Sequence, residues 1–137
     1  ASDVYKRQGY LKGYGLKSGA VATSVAHDSH NIICVGTNDE DMAFAVNRIA
    51  RNRGGIVVVE NGQVLAELPL EIAGIISGKP LREVNTLLED AKKAAHALGV
   101  GTDIDPFMTL SFMSLPVIPT LRLTTRGVVD VNTQQYV

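Results

Sequence analysis

Tryptophan is absent from this 137-residue chain, and four tyrosines and three phenylalanines are its only other aromatic residues of the Phe/Trp/Tyr type. That leaves little material for a platform on which single-stranded bases could stack. Thirteen basic residues stand against fourteen acidic ones, for a formal net charge of −1. Without an excess of positive charge there is no electrostatic case for nucleic acid as a partner. The single cysteine, Cys34, cannot close an internal disulfide, and its apolar surroundings make it a buried core thiol in a reducing compartment. No run reaches the roughly 18 consecutive apolar residues of a membrane span. Residues 1–20 also lack the apolar centre of a secretory signal, so a cytoplasmic protein with no membrane partner is expected. An initiator methionine is missing as well. Ala1–Gln8 shows no periodicity and joins abruptly to Gly9, so residues 1–8 are expected to be an unstructured cloning or sequencing scar. The domain is then 9–137, with further protein upstream.

What is present is a globular pattern: 45% hydrophobic and 20% charged residues, enough for one domain with a proper core. Residues 20–26 suit a strand of small residues, and 31–36 a buried strand. Thr37 and Glu40 have capping-box spacing, and Met42, Ala45, Val46, Ile49 and Ala50 then recur at helical spacing until Gly54-Gly55. Ile56–Val59 and Val64–Leu68 flank Asn61-Gly62, a strong hairpin signal because both turn positions need positive φ. Leu70–Ile76 is apolar at helical spacing, and a long amphipathic helix runs from Pro80 to about Leu98. Asp105-Pro106 opens a short helix with Met108, Phe112 and Met113 as core filler, and short strands follow at 120–124 and 127–131. The expected fold is α+β: a mixed β-sheet, with a hairpin around Asn61-Gly62, packed against two or three helices.

Polar chemistry concentrates in Val25-Ala26-His27-Asp28-Ser29-His30-Asn31, with Thr37-Asn38-Asp39-Glu40-Asp41 soon after. His27 and His30 would meet on a helix, but on a turn their spacing sends them to different sides, and no further ligand lies nearby. A metal site in this chain is therefore not expected. A Ser-His-Asp triad needs its members from separate elements, whereas these are adjacent. Two readings stay open. In one, Asp28 and Ser29 simply hydrogen-bond their own backbone in a turn. In the other, His27, Asp28, Ser29 and His30 form a ligand-facing loop between two strands. Asn31, Asn38 and Asp39 are weaker candidates, since a helix cap with acidic first-turn residues accounts for 37–41. Gly13-Tyr14-Gly15 has neither the strand nor the helix a dinucleotide fingerprint requires.

Gly15–Ala20, Ser24–Ile33, Val35–Met42, Leu68-Pro69-Leu70 with Ile72-Ala73-Gly74, Asp105–Phe112 and Leu123–Val131 together resemble the C-terminal domain of the bacterial adenine deaminases, in the same order over residues 9–137. The resemblance implies the amidohydrolase superfamily, purine metabolism, and hydrolysis of adenine to hypoxanthine and ammonia by a metal-activated hydroxide attacking C6. It implies a divalent metal, manganese or iron, held by an upstream (β/α)₈ barrel whose ligands this chain lacks. The chain alone is then expected to be inactive. Its partners would be that barrel, adenine as substrate and further copies in a homo-oligomer. Its part would be to offer the loop at His27, Asp28, Ser29 and His30 to the barrel mouth, or else to serve structure and assembly without touching substrate.

Overall fold

The computed structural model describes residues 7–137, so the expected scar at 1–8 falls largely outside the described residues. Two strands, β1 (Ala20–Thr23) and β3 (Gly55–Glu60), are buried nearly end to end. They lie side by side within a four-stranded sheet, flanked by β2 (Ile33–Gly36) and β4 (Gln63–Pro69) in the order β2-β1-β3-β4. Strands apolar on both faces need cover on both faces, and alternate side chains sort accordingly. Ala20, Ala22, Val57 and Val59 pack with Ala45 and Ile49 of α1 (Asp39–Arg51). Val21, Ile56 and Val58 pack with Ala91 and Ala95 of α2 (Leu81–Ala97) and with Phe107 and Leu110 of α3 (Pro106–Ser111). The result is one helix, a sheet, and two helices in three layers, an α+β fold as expected.

The expected mixed sheet is corrected: every strand pairing is antiparallel among the described residues. β2 and β3 do run in the same direction, joined through α1, but β1 is inserted between them and pairs with both. A helical crossover therefore exists without a parallel ladder. A second, three-stranded sheet follows α3: β5 (Leu121–Thr124), β6 (Gly127–Asp130) and an unexpected β7 (Gln135–Tyr136). Met108 is exposed rather than core filler, whereas Met113 does pack against the larger core.

The β3–β4 hairpin turns at Asn61 and Gly62, with φ of 52° and 71°, as a two-residue turn of the expected kind requires. The turn is also held from outside. Asp41, buried on α1, accepts from Gly62 N at 2.8 Å and from Asn61 N at 3.2 Å. The same carboxylate accepts from Asn38 Nδ2 at 3.0 Å, and Asn38 Oδ1 accepts from Asp41 N at 2.8 Å. The N-cap is thus Asn38 with Asp41 as reciprocal partner, not Thr37 with Glu40. Thr37 is spent elsewhere, donating through N at 3.0 Å and Oγ1 at 3.3 Å to Gly19 O.

Leu70–Ile76 is not helical. Ile72 and Ile76 exchange backbone hydrogen bonds of 3.0 Å across a tight turn, with Ala73 and Gly74 at φ of 54° and 74°. Tertiary contacts impose this. A Cβ on Gly54 would lie 2.3 Å from Gly74 Cα, so the two backbones touch there. Ser24 Oγ donates to Gly74 O at 2.5 Å while accepting from Gly55 N at 2.8 Å. One buried hydroxyl thereby ties the turn to the sheet.

Replacing Asp41 with Ala removes the acceptor of three donors, and a fall in Tm on the order of 5 °C is expected by circular dichroism. The pH dependence has a definite sign. The Asn38 amide, then the Gly62 N–H, hold the Asp41 carboxyl below its ordinary value. Arg48, bonded to Glu67 at 2.7 and 2.8 Å, does the same for Glu67. Near the ordinary carboxylate pKa the native state therefore binds fewer protons than the unfolded chain. The contribution is complete above that range and disappears as pH falls through the lowered native values. Tm should hold from pH 7 to about 5 and drop below about 4, with a shallower acid slope in Asp41→Ala.

Candidate functional site

The loop that leaves β1 is fixed at two points before its polar residues begin. Ala26 is buried, and its carbonyl accepts from His30 N at 2.6 Å, closing a tight turn. Ala26 N donates back to His30 Nδ1 at 3.4 Å, with His30 at φ 48°. His27 N donates to Ser111 O at 3.2 Å, and Ser114 Oγ donates to His27 O at 3.4 Å. The His27 ring packs against Phe112 with centroids 5.1 Å apart. The end of α3 and the turn after it are therefore what hold this loop, and the two imidazoles meet edge-on at 6.1 Å.

Beyond those anchors the side chains face outward: Asp28, Ser29, His30 and Asn31 are exposed and His27 is half-buried. Asn31 Nδ2 donates to Ser29 Oγ at 2.9 Å. The Asp28 carboxylate has no hydrogen bond or ion pair among the described residues, and neither Asp28 nor Ser29 makes the backbone bonds that a self-contained Asx-type turn would need. These groups can accept and donate to something outside the chain. They do not assemble a metal centre: among the described residues no three His, Cys, Asp or Glu side chains converge.

The structure divides the remaining candidates. Thr23 pairs with Ile33 at the loop's end of the sheet, and Ala20 pairs with Gly36 at the other end, where Asn38 and Asp39 lie. Asn38 is committed to the α1 cap and Asp39 is an exposed first-turn residue. The third histidine of the chain, His96 on α2, has its Nδ1 3.1 Å from Val100 O. Cys34 is partly buried against the α1-side core, and burial pushes its thiol up to about 12, so it is not a nucleophile at neutral pH.

Two residues join the loop that sequence reasoning passed over. His30 shares an open groove of about 430 Å³ with Arg53 and Glu71, walled by Ser24, Ile32 and Gly74. Arg53 sits just past the end of α1 at φ 61°, a conformation costly for a side chain of its size. Glu71 is held below its ordinary value by its own backbone N–H and by that of Gly78, which donates at 3.0 Å. In the sequence Arg53 looks like one more cation at a helix end and Glu71 like a residue of an apolar helix. The turn at 72–76 is what brings them together.

Against known proteins the chain finds clear kin. A family model described as adenine deaminase C-terminal domain matches residues 3–135. The adenine deaminase of Nitratidesulfovibrio vulgaris strain Hildenborough is 53% identical over 129 residues, covering 93% of this chain and 22% of that protein. The adenine deaminase of Dehalococcoides mccartyi is 54% identical over 125 residues, covering 91% and 22%. That of Bacillus subtilis strain 168 is 46% identical over 129 residues, covering 94% and 22%. The chain spans less than a quarter of the length of these curated relatives. Matched almost end to end, it belongs to the adenine deaminase C-terminal domain family.

Proposed function

We propose that this chain is the C-terminal part of an adenine deaminase, which hydrolyses adenine to hypoxanthine and ammonia in purine metabolism, and that its 27–31 loop faces the substrate held by an upstream amidohydrolase barrel. The observation that carries this reading is the pairing of a fixed backbone with uncommitted side chains. His27 is clamped against Ser111, Ser114 and Phe112, while Asp28 stands exposed with no partner among the described residues. Oriented, unspent polar groups are what positioning a flat heterocycle requires. Asp28 would accept from a ring N–H or the exocyclic amine. A histidine would donate to a ring nitrogen, and Ser29 can do either. Asn31 belongs to the same face. Asn38 and Asp39, at the far end of the sheet, do not.

The family's reaction uses a divalent metal, which we assign, as manganese or iron, to the barrel. The described residues of this chain do not fit one, since no three candidate ligands converge among them, and the loop's part needs no metal of its own. The chain alone is then inactive, and a single cysteine with no disulfide partner in the chain accords with a cytoplasmic location. A second reading, an assembly or oligomerisation module without substrate contact, is favoured by one observation: Ile72, Ile75 and Ile76 are exposed together on one turn.

Asp28→Ala separates the two in the full-length polypeptide carrying this chain. Because Asp28 supports nothing internally, Tm should stay unchanged while kcat/KM for adenine falls about 10–1000-fold, the range of oriented polar contacts. Wild-type kinetics in the folded variant would leave only the assembly reading.

A further inference from the structure

We infer that the turn at 72–76, together with Ile32, is the surface on which the preceding part of the same polypeptide docks. This rests on the proposed function above and adds the means by which the polar loop is brought to the substrate. Ile32, Ile72, Ile75 and Ile76 are 39%, 50%, 37% and 54% exposed, large apolar side chains at one end of the four-stranded sheet. Scattered single exposures of this kind are ordinary, but Ile72, Ile75 and Ile76 stand on one turn, and Ile32 lines a groove together with that turn's Ala73 and Gly74, which makes a patch.

The patch is built, not frayed. The Ile72–Ile76 backbone pair closes the turn, Ser24 Oγ holds Gly74 O at 2.5 Å, and Glu71 is tied to Gly78 N at 3.0 Å. A rigid apolar surface costs free energy in water at every moment it is uncovered, so its natural state is covered. The occupant is indicated by length and by charge. This chain spans 22% of the relatives it matches, and in a C-terminal domain the missing length lies upstream and is covalently attached. Tethering gives that segment an effective concentration that no free partner equals. Arg53, exposed on the groove wall, makes no close salt bridge among the described residues and acts on Glu71 of the same groove only at longer range, so the docking segment is expected to pair apolar side chains with a hydrogen-bond acceptor opposite the guanidinium. His30 lines the same groove, and docking here carries the 27–31 loop to the contact itself.

Hydrogen–deuterium exchange on the full-length polypeptide and on this 137-residue chain tests the inference. Amides of 72–78 and 31–32 should exchange at least about tenfold more slowly in the full-length protein, with α2 equally protected in both. Ile76→Asp should abolish the difference while leaving α2 protected. Equal exchange of 72–78 in the two proteins overturns the inference. So does protection in the short chain that rises with its concentration, because the occupant is then a second copy. The substrate reading fails separately: if Asp28→Ala keeps full turnover while 72–78 remains protected, docking stands and the loop's contact with adenine falls. If Asp28→Ala loses turnover with 72–78 unprotected, the docking surface falls and the substrate reading stands.

Discussion

β1 is buried on both faces and hydrogen-bonded on both edges, and the rest of the domain arranges itself around that constraint. A strand with no solvent side can carry no unpaired charge, and Ala20, Val21, Ala22 and Thr23 are all uncharged. Small residues let α1 approach from one side and α2 with α3 from the other. They also mean that the chain must leave the strand under control, because the first polar groups emerge straight from the core. Thr23 Oγ1 accepts from Val25 N at 3.0 Å and ends the strand, and Ser24 immediately binds both the start of β3 and the 72–76 turn. The polar loop begins from this fixed exit and is then held by Ser111, Phe112 and Ser114.

Legibility in the sequence followed the range of the interactions. The α1 and α2 helices and the Asn61-Gly62 hairpin were readable because periodicity, caps and turn chemistry act within a few residues. The cap residue was misplaced by one, since Thr37 had a stronger engagement with Gly19, far away in sequence. Leu70–Ile76 misled for a different reason. Its apolar spacing fits a helix, but Gly54 and Ser24 fix Gly74 in place, and the isoleucines face outward instead of inward. Hydrophobic pattern reports that a surface will be covered, not whether the cover comes from within the chain.

For the candidate site, the sequence disclosed the polar density at 27–31 but not its supports. Ser111, Phe112 and Ser114 lie more than eighty positions away, and nothing local announces that they clamp His27. Arg53 and Glu71 were invisible for the same reason: their nearness to His30 exists only once the turn has formed. Nor could spacing decide between a self-bonded turn and an outward loop. In the structure the segment is a turn closed by His30 N on Ala26 O, and Asp28 forms none of the side-chain bonds to backbone that a self-bonded turn would need.

One consequence follows from the two ends of the four-stranded sheet. At the Ala20–Gly36 end, Asp41 joins the α1 cap to the Asn61-Gly62 turn, and all its contacts are internal. At the Thr23–Ile33 end lie the outward loop and the isoleucine turn. The Asp41 anchor and the outward-facing groups thus lie at opposite poles, a full strand apart. Substitutions at one pole should combine additively with those at the other. Evolution, or an engineer, can therefore harden the Asp41 pole to tolerate heat or acid while varying the exposed side chains of the loop pole.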